Sequence, residues 1–283
     1  MSGADMQPDR ESVLREWSQA AGAWRKWRSE FAIQSRAATD LILEAALPEP
    51  GMRVLDLASG SGEPAMSLAR AVGPQGTVVA TDLVPGMLLG AHQHAVELDY
   101  RNVVCAAANV EALPFRLGAF DRVTCRFGVM FFADLPLALA EVRRVLKPGR
   151  RAVFMAWGEA PRNNFFASTT GVLLRFVKSP PQGPDLAHRF AEPGSLSAAL
   201  RQAAFLEVTE TFHSIAWPWP GPPEGFWDYS VEVRRSFRRI FETLPPEEQQ
   251  QAREESIRAM GRYYDGRQVN FSAYVVIVSA VRD

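Results

Sequence analysis

A chain of 283 residues with 47% hydrophobic and 22% charged side chains has the makeup of one large globular domain, or of a domain with an elaborated cap. A formal net charge of −1 supplies no global field to recruit nucleic acid or anionic lipid. Two cysteines, Cys105 and Cys125, exclude a disulfide framework and any C-x-x-C metal spacing.

The polar start over residues 1–10 lacks the pattern of a signal peptide. The longest apolar runs, such as 274–281, are strand-length and far short of a bilayer span. A soluble cytoplasmic protein is expected, without a membrane, nucleic-acid or metal partner; the oligomeric state stays open.

Residues 10–47 read as a helical cap, because Trp17, Ala20, Trp24, Trp27 and Phe31 recur at helical spacing on one face. That stripe suits either packing on the domain or a lid over an apolar substrate chamber. The basic clusters Arg25-Lys26-Arg28 and Arg234-Arg235-Arg238-Arg239 read as solvated helix faces.

Pro48-Glu49-Pro50-Gly51 ends the cap. From 52 to 157, apolar runs near 53–57, 77–81, 102–106, 120–125 and 151–157 alternate with helical stretches. Such alternation predicts an α/β fold with a parallel sheet. The first strand stops at Ala58-Ser59-Gly60-Ser61-Gly62, and Pro64 stands where a helix would begin. Gly60 and Gly62 let a ligand approach the backbone, and the following helix N-terminus favours a carboxylate or phosphate. Twenty positions after Gly62, Asp82 ends the second strand, placed to accept from ribose hydroxyls. NAD fits so far, since Gly60-x-Gly62-x-x-Ala65 matches the relaxed dinucleotide pattern. Asp56 weighs against a pyrophosphate and suits a ligand with an α-ammonium group.

After Trp157 the pattern changes. A helix is expected over 161–178, a loop over 179–184, a helix over 195–204 and a sixth strand over 207–217. Residues 218–223, with four prolines, can be neither central strand nor helix. Two further helices are expected, about 224–243 and from Pro245 to about 262, then a turn at Asp265-Gly266 and a last strand over 271–281. The chain thus divides into a cap (1–47), a ligand-binding core (48–160) and a remainder (161–283) whose helical insertions fall at about 161–204 and 221–264.

The run Asp56-Leu57-Ala58-Ser59-Gly60-Ser61-Gly62 resembles motif I of the class I S-adenosylmethionine-dependent methyltransferases. Asp82-Leu83-Val84-Pro85-Gly86-Met87-Leu88, Asn109-Val110-Glu111-Ala112-Leu113-Pro114-Phe115, the 120–128 segment and the 141–149 segment resemble that family's later motifs, in order. The nearest resemblance is to the type-11 group, which includes ubiquinone/menaquinone-biosynthesis and natural-product methyltransferases. It implies a Rossmann-like seven-stranded sheet of order 3-2-1-4-5-7-6, with the last strand antiparallel. It also implies S-adenosylmethionine as cofactor, S-adenosylhomocysteine as product, and a small apolar or aromatic acceptor methylated by in-line displacement through positioning and desolvation.

On that resemblance, Ala58, Ser59, Gly60 and Gly62 hold the methionine moiety and Asp56 its ammonium. Asp82 takes the ribose, and Leu83, Met87 and Val110 enclose adenine. Asn109, standing where the family usually has Asp, accepts from the adenine amino group. The Arg126 backbone accepts from the ammonium. Trp24, Trp27, Phe127 and Phe226 are candidate substrate-lining residues. No base stands out; His188, His213 and Tyr264 are the candidates, while His92 and His94 read as exposed helix residues away from the methyl site. An NAD-dependent oxidoreductase and a non-catalytic S-adenosylmethionine-binding protein are the competing functions.

Overall fold

The computed structural model describes residues 8–178 and 186–283, so the loop expected over 179–184 lies outside the described residues. Among the described residues, α-helices cover both faces of one seven-stranded sheet with strand order β3-β2-β1-β4-β5-β7-β6. The strands are β1 (Arg53–Leu57), β2 (Thr77–Asp82), β3 (Val103–Ala107), β4 (Phe120–Arg126), β5 (Leu146–Trp157), β6 (Leu206–Pro220) and β7 (Gln268–Val281). The first five pair in parallel, and β7 pairs antiparallel with both β5 and β6. β1 is flanked by β2 and β4, so the chain reverses its winding there and a crevice opens beyond the strand ends.

Val54, Leu55 and Leu57 are buried on both sheet faces, which explains the unbroken apolar run of a central parallel strand. One face carries α4 (Ala65–Val72), and beside it α5 (Pro85–Glu97) packs on β2 and β3. The other face packs against α6 (Leu135–Val145) and α9 (Ser195–Gln202) around Leu55, Val123, Phe154 and Val278.

The cap region is three helices: α1 (Arg10–Lys26), α2 (Arg28–Gln34) and α3 (Arg36–Ala46). They break at Trp27 and Ser35, each with ψ near zero. The Ser35 hydroxyl donates back to Phe31 O at 2.7 Å, a side-chain bond that tightens the junction. α1 packs across α5 and α2 across β6, so the cap spans the carboxyl edge of the sheet.

Three expectations change. The helix expected over 161–178 is two single turns, α7 (Asn164–Ala167) and α8 (Thr170–Leu173). Asn163 and Asn164 accept from Tyr274 N (2.8 Å) and Ser272 N (2.9 Å) of β7, which anchors the segment to the sheet. The helix expected over 224–243 divides into α10 (Pro223–Val233) and α11 (Arg235–Glu242), where Arg234 turns out to donate to the hydroxyls of Thr169 and Thr170. The proline-rich 218–223 segment is no central strand, as expected, since β6 runs on through Pro220 as the edge strand, but Pro223 opens α10 where no helix was expected. α12 (Pro246–Gly261) follows as expected. No described helix is long and apolar enough to cross a membrane.

Candidate functional site

Beyond β1 the chain turns sharply: Ala58 has φ 52° and Gly60 φ +54°. The two loop glycines do different work. A Cβ on Gly60 would meet nothing within 4 Å, so this residue faces the open crevice. A Cβ on Gly62 would stand 3.3 Å from Ala91 Cα, His94 Nδ1 and Met66 Cε, so the missing side chain at Gly62 lets α4 and α5 approach the loop. His94, expected as an exposed helix residue, is therefore half-buried against the loop. Burial lowers its pKa.

The loop is braced from β2. Asp82 accepts from Gly60 N at 3.0 Å through Oδ2 and from Val84 N at 2.9 Å through Oδ1. Ser59 N donates to Thr81 O at 2.9 Å. The Asp82 carboxylate thus shapes the glycine loop as well as standing at the strand tip, where its remaining lone pairs can accept from a diol. Burial raises its pKa against the pull of those backbone donors.

Asp56 lies beneath the loop, 0% exposed. Its Oδ1 accepts from Thr124 Oγ1 at 2.6 Å, and its Oδ2 has no hydrogen-bond partner. Burial pushes its pKa up to about 7, while the bond from Thr124 and the charge of Arg126 oppose that rise. A buried carboxylate oxygen without a donor is costly, and a cationic ligand group would relieve the cost.

The Arg126 side chain, for which only the backbone was assigned a role in sequence, is 7% exposed and bridges three elements. It donates to Ser35 Oγ (2.8 Å) and Thr39 Oγ1 (2.7 Å) of the cap and to Glu63 O (3.0 Å) just after the loop.

On the opposite side of the crevice, Leu83 is half-buried, and Met87 packs with Val84 and Ala21 beneath Trp17 and Trp24. Asn109 Oδ1 accepts from Glu111 N at 3.1 Å, capping a 3-10 turn at Val110–Ala112 and leaving its second lone pair. Glu111 pairs with Arg10 at the start of α1, which ties the cap to this segment.

Half-buried aromatic rings line the far end. Trp17 meets Phe131 (centroids 5.2 Å apart) and Trp24 (6.0 Å), and Trp24 meets Phe31 (4.8 Å). Phe127, with φ 59° at the tip of β4, stacks on Trp157 at 4.0 Å. Trp157 meets Phe166 (5.7 Å), which meets His188 (4.9 Å). Trp217 joins the two arcs through Phe31 and Phe127.

Of the candidate lining residues, Phe127 and Trp24 belong to this ring. Trp27 does not: it packs on Trp219 and Tyr229 and donates to Glu232 at 2.9 Å. Phe226 is corrected to a core residue, 1% exposed among Trp219, Tyr229 and Phe271. His213 sits on edge strand β6, bonded to Thr211 Oγ1 at 2.9 Å, and Tyr264 is 37% exposed in the turn before β7. The structure brings neither to the glycine loop. Among the described residues no cluster of three or more His, Cys, Asp or Glu could hold a metal.

The profile of the ubiE/COQ5 methyltransferase family matches residues 25–167, half of the chain, from the cap through β5 into α7. The chain belongs to this family. A demethylmenaquinone methyltransferase of Thermus thermophilus is 42% identical over 144 residues, 51% of this chain and 60% of that protein. A 2-phytyl-1,4-naphtoquinone methyltransferase of Trichormus variabilis is 35% identical over 154 residues, 54% of this chain and 62% of that one. The chain therefore spans less than two-thirds of the length of either relative. The crystal structure of the [4+2]-cyclase SpnF matches over 99% of both chains with TM-score 0.64 at 16% identity, a likeness of fold.

The site's own residues fit the family's cofactor, S-adenosylmethionine. Asp56 Oδ2 lacks a donor where an ammonium would neutralise it, Gly60 faces open space, and the Asp82 carboxylate ends β2 beside the loop with lone pairs that could accept from a diol. The dinucleotide alternative, resting on the same glycines, is not supported: the antiparallel β7 between β5 and β6 departs from the all-parallel dinucleotide order.

Sequence reasoning missed Thr124, the Arg126 side chain, Glu63 and the rings of Phe131, Trp157, Phe166 and Trp217, while Trp17 and Phe31 were visible as part of the cap's aromatic stripe. An arginine at the end of a central strand was a signal that a buried partner set awaited it.

Proposed function

We propose that this protein transfers a methyl group from S-adenosylmethionine to a planar aromatic acceptor of the quinol class, at a ring carbon. The observation that carries this reading is the chain of half-buried aromatic rings, from Trp17 and Phe131 through Trp24 and Phe31 to Phe127, Trp157 and Phe166, gathered between the cap and the ends of β4 and β5. Flat π-faces at half-buried positions favour stacking on a flat partner. The printed activities of the two quinone-directed relatives agree with it.

The cofactor supplies an activated methyl group on a sulfonium. The chain's residues have to hold, orient and dry the reactants, and such positioning is worth roughly 7–11 kcal/mol in favourable cases. Asp56 and the backbone of Ala58, Ser59 and Gly60 hold the amino-acid end, and Asp82 takes the ribose. Leu83, Met87, Val110 and Asn109 enclose the base. Phe127 and Trp157 fix the plane of the acceptor, and the cap helices exclude water, which strengthens the interaction of an electron-rich ring with a cation. His188, at the edge of Phe166, is the group assigned to receive the acceptor's proton.

The test uses methyl-labelled S-adenosylmethionine with a demethylated naphthoquinol, a catechol and an aliphatic amine. Label on a quinol carbon is expected. Label confined to catechol oxygen or amine nitrogen would overturn the carbon-acceptor reading. No transfer to any acceptor, with S-adenosylhomocysteine bound, would favour a non-catalytic binding protein.

A further inference from the structure

Arg126 is the last residue of β4, yet its guanidinium does no work within the sheet. One nitrogen, Nη1, reaches the cap at Ser35 Oγ (2.8 Å) and Thr39 Oγ1 (2.7 Å). The other, Nη2, reaches Glu63 O at 3.0 Å, the residue that follows Gly62. The guanidinium carbon lies 5.4 Å from the Phe31 ring centre. Ser35 is both the last cap of α2 and the first of α3, so the cap side of this bridge is a helix junction.

The same loop touches the cap a second time. A Cβ on Gly90 would lie 3.3 Å from Ser61 Cβ and 3.8 Å from Arg25 Cγ, so α5, the glycine loop and α1 meet there. A displacement of the loop therefore reaches the cap at α1, through α5, as well as at the junction at Ser35. The charges near Arg126 add to this. Asp56 and Glu63 both act on the guanidinium, and each has a buried oxygen without a hydrogen-bond donor. With both carboxylates ionised, two negative charges face one positive charge, and the arginine is drawn two ways until a further cation arrives.

We propose that Arg126 is a positioning residue whose two-armed bridge couples seating of the cap at Ser35 and Thr39 to occupancy of the glycine loop by a cationic amino-acid ligand. The inference rests on the cofactor reading above and goes beyond it: cap closure becomes a consequence of cofactor binding, before any acceptor enters. A planar fork spans both sides at once, whereas a lysine ammonium is a single point of attachment.

Hydrogen exchange of the full chain, with and without S-adenosylhomocysteine, tests it, alongside calorimetric affinity. In the wild type, the ligand is expected to slow exchange across 28–46 at least tenfold. In Arg126→Met the slowing should fall below twofold, with affinity reduced about tenfold. Arg126→Lys should recover thermal stability without recovering the ligand-dependent slowing. A bridge that only stabilised the fold would change exchange equally with and without ligand, and that result overturns the coupling; so does full recovery by lysine. Should the Arg126 variants not fold, Ser35→Ala with Thr39→Val removes the two cap-side hydroxyl acceptors, leaving only Ser35 O at 3.3 Å, and must bring the slowing below twofold. Wild-type slowing in that double variant overturns the proposal. Binding without any slowing in the wild type overturns the coupling only, while no binding at all overturns the cofactor reading as well.

Discussion

The Thr124 hydroxyl donates to Oδ1 of Asp56 at 2.6 Å, and Oδ2 of the same buried carboxylate meets no donor. One oxygen is thus held by the neighbouring strand and the other has no hydrogen-bond partner within the protein. The pairing works across β1 and β4, where Asp56 and Thr124 stand in register.

This relationship sets a pH dependence. The folded pKa of Asp56, raised to about 7 by burial, exceeds its unfolded value. Its contribution to stability is therefore full below the unfolded pKa and is lost as pH rises from about 4 to about 7. The melting temperature of the ligand-free protein, measured over that window, should fall relative to Asp56→Asn. A flat difference between the two would show that Asp56 does not titrate there.

Ligand binding should carry the same proton. At pH 6, an ammonium arriving at Asp56 displaces the proton held there, so S-adenosylhomocysteine binding should release protons, and little release is expected at pH 8.5. Calorimetry in two buffers of different ionisation enthalpy reads this directly. Thr124→Val removes a bond that lowers the Asp56 pKa, and should move the release to higher pH.

Gly60 and Gly62 should separate binding from stability. Gly60→Ala places a methyl in the open crevice and should weaken S-adenosylhomocysteine at least tenfold, with a stability loss of about 1 kcal/mol from its positive φ. Gly62→Ala drives a methyl against Ala91, His94 and Met66 and should cost about 1–3 kcal/mol through overpacking and strain. Denaturant melts and calorimetry on both variants check the pair. Equal affinity losses with equal stability losses would contradict the division of labour.

Phe127→Ala should leave S-adenosylhomocysteine affinity within about threefold while lowering kcat/KM for an aromatic acceptor at least tenfold, a loss of about 1.4 kcal/mol or more. The stacked partner Trp157 should behave alike. A fall in cofactor affinity with unchanged kcat/KM would place Phe127 at the cofactor instead.

How much of the site was legible follows from how local each signal is. The glycine loop lies within one strand–turn–helix unit, so its residues announce it directly. The aromatic cap was visible as a helical stripe, yet the stripe could not tell Trp24, which joins the ring, from Trp27, which turns to Glu232. The expected helices over 161–178 and 224–243 divide at Ser168–Thr169 and at Arg234, and Arg234 donates to the Thr169 hydroxyl across the two segments. Propensity has no knowledge of such partners.

The amino-acid order alone determined the alternation of strands and helices, the loop at the end of β1 and the acids at its two flanks. Those features depend on hydrophobic period and backbone freedom, both of which act over a few residues. Only the folded chain decided that Gly62 serves α5, that Asn109 caps its own turn and that Arg126 joins positions 91 and 63 residues away. Burial makes such polar groups seek partners wherever packing brings them, and packing is a property of the whole molecule.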